Sequence, residues 1–101
     1  MAQSSNPARE AEKMRVMGEW LDAVSAELGL DPALLEQVRT PMLDMIAEVA
    51  HGPSRPGAPM TAMLVGLASD PQDPAAMLDR VARIRELAAG WVVEEAQPAQ
   101  D

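Results

Sequence analysis

A chain of 101 residues with 16 acidic against 8 basic side chains, a formal charge of −8, no cysteine and two aromatic residues, Trp20 and Trp91, has room for one core built from Leu, Val, Ile, Ala and Met. Without cysteine, disulfides, thiolate zinc sites, iron–sulfur clusters and thiol nucleophiles are all excluded. The negative charge repels phosphate backbones and anionic lipid, so neither a nucleic acid nor a membrane is an expected partner.

Residues 1–20 carry charges and no apolar run of signal-peptide length, and no stretch approaches the roughly 20 apolar residues of a membrane span. The expected location is the cytoplasm. Residues 1–6 and 97–101 are small and polar and read as disordered tails around one helical domain, 7–96.

Asn6 can cap a helix, Pro7 suits its first turn, and Gly29 supplies the left-handed residue that stops it, which predicts a first helix over 7–28. Met14, Met17, Leu21, Val24 and Leu28 step along it by three and four, the stripe of a helix buried on one face. Asp31 and Pro32 repeat the cap signature for a short second helix carrying Leu34, Leu35 and Val38. Thr40 and Pro41 restart the pattern, so a corner is expected at Arg39 and Thr40. A third helix, 41–51, offers Met42, Met45, Ile46 and Val49 to the core, turns Asp44 and Glu48 to water, and ends at Gly52.

Between 52 and 59 the prolines 53, 56 and 59 remove donors and fix the backbone, predicting a stiff exposed connection. The fourth helix, 59–68, has Thr61 as its only polar side chain. A helix apolar all round is expected at the centre of a fold, and Gly66 within it suggests close approach of a neighbour. Asp73 and Pro74 open a fifth helix with Met77, Val81, Ile84, Ala88 and Trp91 inward, Asp79, Arg80, Arg83 and Glu86 outward, and fraying at Gly90. The sum is an all-α fold, a compact bundle of four to five helices around a hydrophobic central helix.

Glu48 and His51 stand at i and i+3, as in di-iron bundles, but a single histidine completes such a site only in a homodimer, and His51 reads instead as a helix-end residue beside free carbonyls. The Met pairs 14/17, 42/45 and 60/63 share one spacing, which leaves a Cu(I) carrier as an alternative function. Thioethers equally fill gaps in a core without Phe, or line a groove for a partner helix. Around the proline segment, His51, Arg55, Pro56, Pro59 and Thr61 cluster where the fourth helix begins. Free amides beside a guanidinium can hold an anion, either a phosphate or a partner's carboxylate, and these five residues form the expected partner- or anion-binding site. No nucleophile stands near an obvious base and no glycine-rich phosphate loop occurs, so no enzyme, no catalytic residue, no metal and no cofactor is expected. The oligomeric state is open, a homo-oligomer included.

Trp20-Leu21, Ala26-Glu27-Leu28-Gly29-Leu30-Asp31, Val49-Ala50-His51-Gly52, Arg55-Pro56, Ala58-Pro59 and Leu64-Val65-Gly66-Leu67-Ala68 resemble a small actinobacterial all-helical domain of unassigned function, found alone or as a tail on molybdenum cofactor guanylyltransferase-like proteins. The resemblance covers about Gly18 to Trp91 and is most specific from His51 to Ala68. It implies a non-enzymatic accessory role in molybdopterin guanine dinucleotide assembly or insertion. The implied protein partner is the molybdenum cofactor nucleotidyltransferase or the recipient oxidoreductase.

Overall fold

Side-chain caps punctuate the chain. Asn6 Oδ1 accepts from the amides of Ala8 and Arg9 at 3.0 and 3.2 Å, Asp31 Oδ1 from Ala33 at 3.0 Å, and Asp73 Oδ1 from Ala76 at 3.1 Å. Each such cap stabilises its helix by about 1 kcal/mol relative to alanine. The computed structural model describes residues 6–91 and places four α-helices in them: α1 (Pro7–Leu28), α2 (Pro32–His51), α3 (Gly57–Ala68) and α4 (Pro74–Ala89). No strand occurs among the described residues, and the fold is all-α as expected. The expected tails, apart from Asn6, lie outside the described residues, as does the stretch 92–96.

The chain divides into two compact units, residues 1–35 and 36–101. In the first, α1 ends as its sequence predicts. Gly29 adopts φ 73°, its amide donates to the Ala26 carbonyl at 3.2 Å, and the Leu30 amide donates to the Ser25 carbonyl at 2.8 Å. These two bonds form a Schellman turn. The predicted apolar stripe of α1 is covered only in its middle, at Met17, Leu21 and Val24, while Met14 and Leu28 at its ends are 49% and 65% exposed. Ion pairs of Arg15 with Glu12 and Glu19, and of Lys13 with Glu10, run along the polar side.

The second unit holds a core of Met45, Val49, Ala58, Val65 and Val81, with Met42, Ile46, Ile84 and Ala88 among the side chains packed against it. Here the structure corrects the expected corner at Arg39 and Thr40: α2 runs unbroken from Pro32 to His51 with Pro41 inside it. A mid-helix proline removes one backbone bond and crowds the preceding turn, at a cost of about 3 kcal/mol. Val38, Met42, Met45 and Val49 advance by four, three and four residues, so a continuous helix keeps all four on one face, and Val38, Met45 and Val49 are buried. Their burial offsets the proline. In sequence, a proline at a first helical turn and one that a helix tolerates look alike.

The hydrophobic helix α3 supplies Ala58 and Val65 to the core but is not enclosed on every side. In α3, Ala58 and Val65 are buried, whereas Met60, Met63, Leu64 and Leu67 are all more than half exposed. The helix is apolar all round yet covered on one side. Gly66 does not admit a close neighbour, since a Cβ built there meets nothing within 4 Å. The helix also begins at Gly57, two residues before Pro59, because Ser54 Oγ accepts the Gly57 amide at 3.0 Å and the Arg55 carbonyl accepts that of Ala58 at 3.2 Å. At its other end the Ser69 hydroxyl donates to the Val65 carbonyl at 2.7 Å.

Glu48 is exposed, as expected, and also binds α4. Its two carboxylate oxygens accept from Arg85 Nε and Nη2 at 2.8 and 2.6 Å, and Asp44 stands 3.9 Å from the same guanidinium. Planar bidentate geometry makes this the best-formed ion pair of the unit.

Candidate functional site

Of the five residues expected to bind a partner or anion, four are exposed and one, Thr61, is partly buried. His51 is the exposed last residue of α2; Arg55, Pro56 and Pro59 are exposed along the turn and the first turn of α3. The amides that were to hold an anion are engaged within the chain: Gly57 with Ser54, Ala58 with Arg55. Pro59 has none to offer. Thr61, partly buried, donates its hydroxyl proton back to the Gly57 carbonyl at 2.8 Å. Ser54, which organises this start, was not singled out in the sequence, where its position five residues before the predicted helix hid its capping role.

Thr61 does belong to a larger feature. It lines a groove of about 710 Å³ between α3 and α4 in the second unit. From α3 come Thr61, Leu64, Val65 and Ala68, and from α4 come Arg80, Arg83, Ile84, Leu87 and Ala88, each set recurring at three- and four-residue spacing. Trp91 lies just beyond α4, and Val49 and Pro53 complete the lining. The floor is core: Val49 and Val65 are buried. The rim is not, with Leu64 61% exposed and Leu87 and Trp91 each 55%.

The electrostatics of the groove oppose those of the chain. None of its lining residues is acidic, and two are arginines, in a protein of net charge −8. Arg80 Nη1 donates to the Ala76 carbonyl at 3.3 Å. Arg83 has Asp79 at 3.9 Å, one turn back along α4, with both side chains at least 70% exposed. Such an open pair is weak and readily exchanged. Arg85 is committed elsewhere: its hydrogen bond to Glu48 holds the Glu48 carboxyl below the ordinary glutamate value and raises Arg85's own pKa. The sequence assigned Arg80 and Arg83 to an outer, solvated face. The available signal was the mixed stripe Arg80, Arg83, Ile84, Leu87, Ala88 and Trp91, where arginine and apolar residues share one helical face.

The Met pairs take different roles. Met45 is fully buried with Met42 partly so, whereas Met60 and Met63 are more than half exposed. Among the described residues no group of three His, Asp or Glu side chains stands together as a metal site, and no helix is long and apolar enough to cross a membrane.

Fold and groove together define a small all-α protein that presents an apolar, arginine-flanked cleft. Within that class the chain belongs to the family described as Domain of unknown function (DUF6457), which matches residues 12–99. No curated protein and no solved structure matches it.

Proposed function

We propose that this chain is a non-enzymatic accessory module that works by binding another protein through the α3–α4 groove, with the adjoining residues His51, Arg55, Pro56 and Pro59 at the border of the contact. The observation that carries this reading is the grouping of Leu64, Leu87 and Trp91, large apolar side chains held in water around one cleft. Single exposed hydrophobic residues are ordinary, but a contiguous set around a concave surface is the mark of an interaction site. Tryptophan and arginine, here Trp91 with Arg80 and Arg83 in the same lining, are the residue types that most often carry the energy of an interface. The resemblance over residues 51–68 supports a molybdenum cofactor nucleotidyltransferase or its recipient oxidoreductase as the partner.

The test is titration calorimetry of the purified chain against each of those two enzymes, with Leu64→Glu and Arg55→Ala variants whose helix content is checked by circular dichroism. Saturable binding that Leu64→Glu abolishes and Arg55→Ala weakens is expected. Binding to neither enzyme by the folded protein removes the molybdenum link, and binding indifferent to Leu64→Glu removes the groove.

A further inference from the structure

The groove has a chemistry specific enough to describe its occupant. We infer that it receives an amphipathic helix from a different protein, with an apolar stripe of two to three turns flanked by carboxylates that meet Arg80 and Arg83. This rests on the protein-binding reading of the same groove and adds the secondary structure and charge of the partner.

A helix fits better than an extended segment because of backbone bookkeeping. The walls of the groove are helices α3 and α4, whose interior amides and carbonyls bond within their own helices, so an extended peptide would meet no sheet edge to pair with. A helix arrives with its backbone bonds already made. The span agrees: Thr61 to Ala68 and Arg80 to Trp91, at about 1.5 Å per residue, give walls roughly 10 to 16 Å long, or about seven to eleven residues of a docked helix. Anchors at i, i+3, i+4 and i+7 on that helix meet the same periodicity in both walls.

Charge decides between a second copy and a different protein. Two copies joined groove to groove would offer Arg80 and Arg83 a facing surface whose lining has no acidic residue, and each chain carries −8 overall. Flanking carboxylates on another protein meet the two guanidiniums instead. At physiological ionic strength screening sets in at about 8 Å, so such carboxylates respond to Arg80 and Arg83 more than to distant acidic residues. Asp79 holds Arg83 only loosely, at 3.9 Å in solvent, and yields to a closer partner.

The experiment is a display selection on the full chain. The library consists of helical peptides with leucine fixed at i, i+3, i+4 and i+7, and flanking positions randomised among Glu, Gln and Lys. The baits are the wild-type protein, the double variant Arg80→Glu/Arg83→Glu, and Leu64→Glu, each shown to be helical by circular dichroism. Wild type is expected to enrich Glu, the double variant Lys, and Leu64→Glu nothing; the selected wild-type peptide should lose about tenfold in affinity when Arg80 and Arg83 are reversed. Enrichment of apolar helices without preference for Glu overturns the charge assignment while leaving protein binding in place. No enrichment by folded wild type overturns the helical occupant, and calorimetry with intact enzymes then judges the protein-binding reading separately. A dimer in sedimentation that Leu64→Glu dissociates puts a second copy in the groove and overturns the inference.

Discussion

Gly29 and Gly66 are the same residue type in helical surroundings with opposite consequences. Gly29 sits at φ 73° and closes α1, and an L-residue pays roughly 1–2 kcal/mol in that region. Gly29→Ala is therefore expected to lower the free energy of unfolding by about that amount in urea denaturation. Gly66 has helical neighbours on both sides and open space where a Cβ would go. Gly66→Ala should raise stability by up to about 1 kcal/mol, the difference in helix propensity. A loss there instead would mean that α3 needs the glycine for something other than its own folding. Glu48 offers a test by pH. Its carboxyl is held below the ordinary glutamate value of 4.5 by the hydrogen bond from Arg85, so its contribution is complete above that value and fades as pH falls through the lower, folded-state value. The melting temperature of Glu48→Gln should lie below wild type at neutral pH, and the gap should narrow below pH 4.5.

At the scale of elements, α2 and α3 show how neighbours override a local signal. Pro41 carries every mark of a helix start, yet α2 continues through it because Val38, Met45 and Val49 are buried along one continuous stripe. Removing the penalty should be favourable: Pro41→Ala is expected to stabilise the fold by about 1 to 3 kcal/mol in chemical denaturation. A destabilised variant would show instead that the proline shapes α2. For α3, composition alone suggested the middle of a bundle. Its exposed Met60, Met63, Leu64 and Leu67 show that a helix without polar side chains need not be enclosed, because hydrophobic character states a preference for burial and cannot say whether enough chain remains to provide it.

For the whole molecule, the groove sets stability apart from function. Leu64 contributes little to the core at 61% exposure, so Leu64→Glu should leave the free energy of unfolding within about 0.5 kcal/mol of wild type. The same change should sharply reduce fluorescence of a hydrophobic dye such as anilinonaphthalene sulfonate, because it places a charge at the rim of the apolar α3–α4 groove. A protein that loses dye binding and keeps its stability carries Leu64 for contact rather than for folding.

Local chemistry, read from the sequence by itself, determined the all-α class, the boundaries of α1, the caps at Asn6, Asp31 and Asp73, the glycine stop at Gly29 and most of the core, including Met45, Val49 and Val81. Those features depend on residues within a turn or two of each other, so their spacing records them. Only the tertiary structure decided that α2 survives Pro41, that the exposed Glu48 is tied to Arg85, and that Arg80 and Arg83 flank a cleft. Each of these turns on which residues far apart in the chain become neighbours, or on how much burial is left to compensate a local cost, and periodicity within one helix contains neither quantity.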